Sequence, residues 1–271
     1  FPNLTTITGA GTSGEYLQLF TRYGTASINL PVLATVTAPA ETNPYYDSGI
    51  EFHAEAGTIN LPALTVFRDL SPQPDSWIHA VGSGWFNAPL LTAPEAIQLD
   101  MNALSSPQQF TSLVGTRYLH INNGVVSMPQ SDISGFTTIY VNNGAKLTFP
   151  NVTSYTQPAD KDVNWYCEEN SSELNFPNLT TITGAGTSGE YLHLYTRYGT
   201  ATMNLPKVTS ITAPAENDPY ANSGIQFHVD AGTVSLPMLT NFSDLSSHPN
   251  SLLSRQGSAT LSVPNLHLTG V

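Results

Sequence analysis

Charge is the scarcest commodity in this chain. Only 10% of its 271 residues are charged, against roughly a quarter in an ordinary soluble domain, and the shortage falls hardest on the basic side. Eight Lys and Arg face 20 Asp and Glu, for a net charge of −12 and a pI near 4.7. The phosphate-neutralising surface that nucleic-acid binding needs is therefore missing, and an anionic membrane surface would repel the chain. Cysteine is nearly absent too: Cys167 stands alone, so no intramolecular disulfide can form. No run of 18 apolar residues occurs, which excludes a membrane-spanning helix. No candidate metal or cofactor motif is present either. Phe1 opens the chain without Met or a secretory n-region, the pattern of a mature form or of a piece cut from a longer array.

The polar load is carried instead by Thr, Ser and Asn, with 20 Gly and 20 Pro. These residues favour short strands and turns over long amphipathic helices, so a helical bundle is excluded. Self-similarity is the dominant signal. Phe1–Ser71 aligns with Phe176–Ser246 without a gap, 50 of 71 positions being identical. The long period is 175 residues, giving a first copy over 1–175 and an incomplete second copy over 176–271.

A shorter repeat runs inside the long one, written apolar, Asn/Ser/Thr, apolar, Pro. Examples are Ile28-Asn29-Leu30-Pro31, Ile59-Asn60-Leu61-Pro62, Met203-Asn204-Leu205-Pro206 and Val234-Ser235-Leu236-Pro237, with an imperfect Leu104-Ser105-Ser106-Pro107. Before each anchor stands an in-out-in tripeptide such as Leu17-Gln18-Leu19, Ile50-Glu51-Phe52, Ile78-His79-Ala80, Trp165-Tyr166-Cys167 or Leu192-His193-Leu194. After many anchors comes a third short strand, as in Leu4-Thr5-Thr6-Ile7-Thr8. Period-2 alternation marks a strand with one buried face. A single set of three strands cannot bury that face, whereas stacking sets about 4.8 Å apart closes one core. The expected fold is all-β: a single right-handed parallel β-helix over 1–271, of about ten turns with three short strands each.

The cadence Leu/Phe-Pro-x-Leu/Val-Thr-x-Ile-Thr in Phe1–Thr8, Phe176–Thr183 and Leu205–Thr212 resembles receptor L-domain-like repeats of fungal cell-wall surface proteins and bacterial surface β-solenoids. The resemblance covers the whole chain. It implies an extracellular or cell-surface location and roles in cell-wall organisation, adhesion or sugar contact.

Several outward residues invite chemistry. Gln18, Glu51, His79, Gln98, His120, Tyr140, Tyr166, His193 and Gln226 form an expected outward stripe, with His53 and His228 two residues along. Histidine can bind metal or carry protons, yet a line of residues about 5 Å apart does not make a tetrahedral site, so a solvated ladder is the expectation. Glu51, Glu55 and Asp69 are the nearest carboxylate cluster for glycoside chemistry, but their second-copy counterparts read Gln226, Asp230 and Asp244. Aromatic residues beside an arginine, namely Tyr16, Arg22 and Tyr23 and again Tyr191, Arg197 and Tyr198, could stack on sugar rings. Arg22 could equally pair Glu15. The loops that follow, with Pro-Tyr at 44–45 and 219–220, could wall such a site. Thr5, Thr65, Thr92, Thr153, Thr180, Thr209 and Thr240 repeat three residues after Pro, with breaks such as Phe110, and β-branched strand packing explains them. Cys167 falls on an inward position and reads as a small buried hydrophobe. Sequons occur at Asn3, Asn151, Asn170, Asn178 and Asn241, and Asn3, Asn151 and Asn178 share one place after the anchor Pro.

The expected function is a non-enzymatic extracellular structural or adhesive module, one stretch of a fibre or surface stalk that partners itself head to tail or as covalent repeats. Carbohydrate binding is the alternative, and a polysaccharide lyase or hydrolase the third reading.

Overall fold

A three-residue strand contributes too few ladder bonds to stand alone, and each one described here pairs with at least one other strand. In the computed structural model, residues 1–11, 14–40, 48–71, 74–104, 116–159, 161–186, 189–215 and 222–271 are described. The anchor at Ser105–Pro107, Phe110 and the Pro-Tyr pairs at 44–45 and 219–220 lie outside them. The described residues form 27 strands and no helix, in two compact units, Phe1–Pro129 and Gln130–Val271. The repeat boundary at 175 thus falls inside the second unit.

Each unit holds three kinds of sheet, and every pairing within a unit is parallel among the described residues. In the first unit the longest strands run in the order Tyr16–Thr21, Gly49–Ala54, Trp77–Val81, Gln98–Leu104, Tyr118–Ser127. The strands that precede Pro follow as Ser27–Asn29, Thr58–Asn60, Trp85–Asn87. The strands after Pro run Thr6–Thr8, Thr35–Ala38, Val66–Asp69, Ala93–Glu95. The second unit repeats the scheme with five strands in each sheet. Its long-strand sheet is Thr138–Asn142, Val163–Glu168, Tyr191–Arg197, Gly224–Val229, Leu252–Arg255. Throughout that unit each strand pairs with the one three places further along the chain. One level of three successive strands is called a rung below.

The apolar-Pro motif is a turn. Leu33, Leu64 and Leu239 donate their N–H to the carbonyls of Leu30, Leu61 and Leu236 at 3.2, 3.1 and 3.1 Å, which puts Pro at the second turn position, where its fixed φ belongs and its missing donor is not needed. The turn drives a leucine into the core on each side: Leu30, Leu61, Leu205 and Leu236 are buried, as are Leu33, Leu64 and Leu239. Rings fill the space between rungs. Phe52 packs against Phe67 and Phe86 in the first unit, and Phe149, Phe176 and Trp165 stack in sequence in the second. Gly57 and its second-copy counterpart Gly232 turn with φ of 95° and 76°. A Cβ at either would run into the backbone carbonyl of Ala26 or Ala201 on the rung before, so glycine is required by both conformation and space.

Register departs from the sequence expectation in both units. Ile78 pairs with Phe52, Leu119 with Leu99 and Trp165 with Leu194, so these tripeptides slide two residues from the alignment expected of the sequence. A slip of two preserves which residues face in and which face out. Cys167 remains buried but lies between Val141 and Thr196.

Candidate functional site

The slip splits the expected outward stripe into two columns on each long-strand sheet. In the first unit one column is Gln18, Glu51, Trp77, Gln98 and Tyr118, and the next is Phe20, His53, His79, Asp100 and His120. The second column is joined by contacts along its length. Phe20 stacks on His53 with centroids 4.3 Å apart, and His53 lies 5.3 Å from His79. Glu51 Oε2 sits 2.8 Å from His53 Nε2 and accepts from Gln18 at 2.7 Å. Asp100 stands between two imidazoles, its Oδ2 2.8 Å from His79 Nδ1 and its Oδ1 3.0 Å from His120 Nδ1. Partial burial pushes the Asp100 carboxyl up, but the hydrogen bonds and charges of His120 and His79 outweigh it and hold the group well below the usual carboxylate range.

The second unit carries an aromatic column in the corresponding place: Tyr140, Tyr166, Tyr195 and His228. Tyr166 and Tyr195 are stacked nearly parallel at 4.9 Å and 7°, and Tyr195 and His228 lie 4.7 Å apart at 15°. Arg197 lies over Tyr195 at 4.0 Å and reaches both Glu168 and Asp230, at 3.7 and 3.8 Å. Tyr140 donates its hydroxyl to Glu168. His193 sits between Tyr191 and Tyr195 and 5.7 Å from His228. Burial lowers the pKa of both histidines, aided by His228 and Arg197 at His193 and by Arg197 at His228.

Tyr191 stacks on His193, and Arg197 spends its guanidinium face on Tyr195. Rings stacked along a column use their faces on one another and turn edges to solvent, so this column is not a platform for a sugar face. Tyr16 donates to Asp75 at 2.7 Å, and Arg22 lies over Phe20 and pairs Glu55, where the sequence pointed to Glu15. Tyr23 and Tyr198 stand away from the columns, 83% and 66% exposed. The three carboxylates Glu51, Glu55 and Asp69 are each engaged separately. Glu51 holds Gln18 and His53, Glu55 holds Arg22, and buried Asp69 accepts from the N–H groups of Ser71, Asp75 and Ser76 and the Ser76 hydroxyl.

Asn3, Asn151 and Asn170 are exposed, while Asn178 and Asn241 are half-buried. Asn178 donates to the Pro150 carbonyl and accepts from Lys207, at 2.8 and 2.6 Å. The threonine ladder is structural: Thr65, Thr180, Thr209 and Thr240 donate their hydroxyls to carbonyls one rung back, at 3.2, 2.8, 3.3 and 3.1 Å. Among the described residues no group of three or more His, Cys, Asp and Glu is placed to hold a metal ion.

Two features lay beyond the sequence reading. One is an asparagine ladder, Asn29–Asn60–Asn87 and Asn175–Asn204, whose signal was the Asn repeated two residues before Pro. The other is an open depression of about 400 Å³ in the second unit, lined by Asn143, Glu169, Asn170, Tyr198 and Gly199. No motif in the sequence brings those residues together. Compared with protein families, curated proteins and solved structures, the chain matches none.

Proposed function

We propose that the chain is a non-enzymatic extracellular structural or adhesive module. Its parallel sheets are read as the faces of a right-handed β-helix of about ten turns, which extends by adding rungs of its own kind, head to tail or as covalent repeats. One observation carries the reading. The same three-strand set recurs along the chain, each strand pairing in parallel with its counterpart in the next set and like residues facing like, as in Leu174 with Met203 and Ile182 with Ile211, so each added set covers the apolar face of the one before. Covering such a face removes apolar area worth about 25 cal/mol per Å² and satisfies a row of ladder groups. The right hand follows from the strong preference of parallel crossovers. The low-charge Thr/Ser/Asn surface, the sequons and the resemblance to surface repeats support an extracellular setting.

Sedimentation velocity over a wide concentration range tests it. Association that grows with concentration, and that Leu17→Asp shifts toward smaller species, is the expected result; a chain that stays monomeric throughout overturns head-to-tail extension. The enzymatic alternative is addressed by a turnover assay on acidic polysaccharides, where product formation that Asp100→Asn abolishes would reject the non-enzymatic reading.

A further inference from the structure

We infer that the depression bounded by Asn143, Glu169, Asn170, Tyr198 and Gly199 is a binding subsite for one neutral pyranose ring, a function separate from rung stacking. The inference starts from backbone. Asn143, Glu169, Ser171 and Tyr198 all hold positive φ, between 53° and 68°, a conformation that costs non-glycine residues and concentrates at functional sites. The concavity then supplies the chemistry of sugar recognition. Tyr198 is an exposed ring, in contrast to Tyr166, Tyr191 and Tyr195, whose faces stack on neighbouring rings. A pyranose offers a C–H face for such a ring and a rim of hydroxyls that both donate and accept.

The rim groups match those hydroxyls. Glu169 Oε2 accepts from the Asn143 N–H at 3.1 Å, which leaves Oε1 for a sugar hydroxyl. Asn170 Oδ1 accepts from the Thr200 N–H at 3.2 Å, which aims its amide donors elsewhere. Gly199 has to be glycine, because a Cβ there would strike the Asn170 side-chain oxygen. A volume of about 400 Å³ sits at the small end of ligand sites and suits one ring. Glu169 and the net charge of −12 disfavour an acidic sugar. Tyr23, exposed in the first unit and outside this depression, is the control residue.

Saturation-transfer-difference NMR with methyl glycosides of glucose, galactose, mannose and N-acetylglucosamine tests the site, using protein made in bacteria so that Asn170 carries no glycan. At least one probe is expected to receive saturation on its ring C–H protons. Tyr198→Asn, which keeps a residue suited to the left-handed conformation, should weaken binding about tenfold, whereas Tyr198→Phe and Tyr23→Asn should leave it within about twofold. Glu169→Gln should weaken it without changing thermal stability. Absence of transfer to every probe overturns the proposal, and so does binding that survives Tyr198→Asn or is lost in Tyr23→Asn. Sedimentation behaviour does not enter either outcome.

Discussion

Two buried aspartates show how single side chains hold this fold together. Asp244 accepts from the N–H of Ser246, Asn250 and Ser251 and from the Ser246 hydroxyl, at 3.0, 3.0, 2.9 and 2.6 Å. Its first-copy counterpart Asp69 does the same for Ser71, Asp75 and Ser76. Each closes a loop and pairs N–H groups of buried serines, Ser71 and Ser76 or Ser246 and Ser251, that would otherwise go unpaired. Burial raises the Asp244 carboxyl, but the bonds from Ser246 and Ser251 prevail and lower its pKa. Asp244→Ala strips several donors at once, each costing about 1 to 3 kcal/mol when left buried, so a loss of at least that size is expected in urea unfolding; a change within experimental error would show that the loop is held by something else. Cys167 presents the opposite case. Burial pushes its thiol up to about 12, and the thiolate is the reactive form, so the folded protein should label with a disulfide reagent far more slowly than the urea-unfolded chain. Rapid stoichiometric labelling of native protein would contradict its buried position.

At the scale of elements, the asparagine ladder makes a graded prediction. Asn60 donates to Asn29 and accepts from Asn87, at 3.0 and 2.6 Å, while among the described residues Asn29 has one ladder neighbour. Asn60→Ala breaks two side-chain bonds and Asn29→Ala one, so the first should cost about twice the second, within a range of roughly 1 to 3 kcal/mol. Equal losses in thermal denaturation would mean the ladder contributes nothing beyond each residue's own strand. In the same elements Leu205→Ala should cost about 2 to 5 kcal/mol through lost transfer energy and a residual cavity. The leucine positions were readable from the chain because alternation and the Pro anchor both specify a face. The columns were not: a strand shifted by two residues presents the same faces, so nothing in Ile78-His79-Ala80 alone says that His79 stands beside His53 rather than Glu51. The Asp100 pair of imidazoles followed only once register was known. The depression at Tyr198 needed more still, since it depends on left-handed residues 143, 169 and 198 that no local pattern signals.

For the whole molecule the sharpest expectation concerns acid. In the second unit His193 and His228 lie 5.7 Å apart beside Arg197, and burial first, then neighbouring positive charge, lowers both pKa values. Asp162 and Asp230 act in the opposite direction without reversing the shift. The first unit is arranged otherwise: His53, His79 and His120 each face a carboxylate. A histidine whose folded pKa lies below its unfolded value of about 6.5 is protonated more readily in the unfolded chain. Its contribution is therefore complete above about pH 6.5 and is lost as pH falls from there toward the folded pKa. Asp100 and Asp244, lowered relative to unfolded carboxylates, contribute in the other range. Their stabilisation is present above about pH 4 and disappears as pH falls through their folded values. Two successive losses are thus expected on acidification, the first near pH 6 from the second unit and the second below about pH 4. Acid also reduces the net charge of −12 and so relieves self-repulsion, an effect that salt screens, whereas partly buried pairs are screened much less. Thermal unfolding of the wild type from pH 7.5 to 5 in high salt should show a falling midpoint, and the His193→Gln, His228→Gln double variant should flatten that slope while keeping the loss below pH 4. A double variant that falls as steeply as the wild type above pH 5 would remove these histidines as the origin of the acid response.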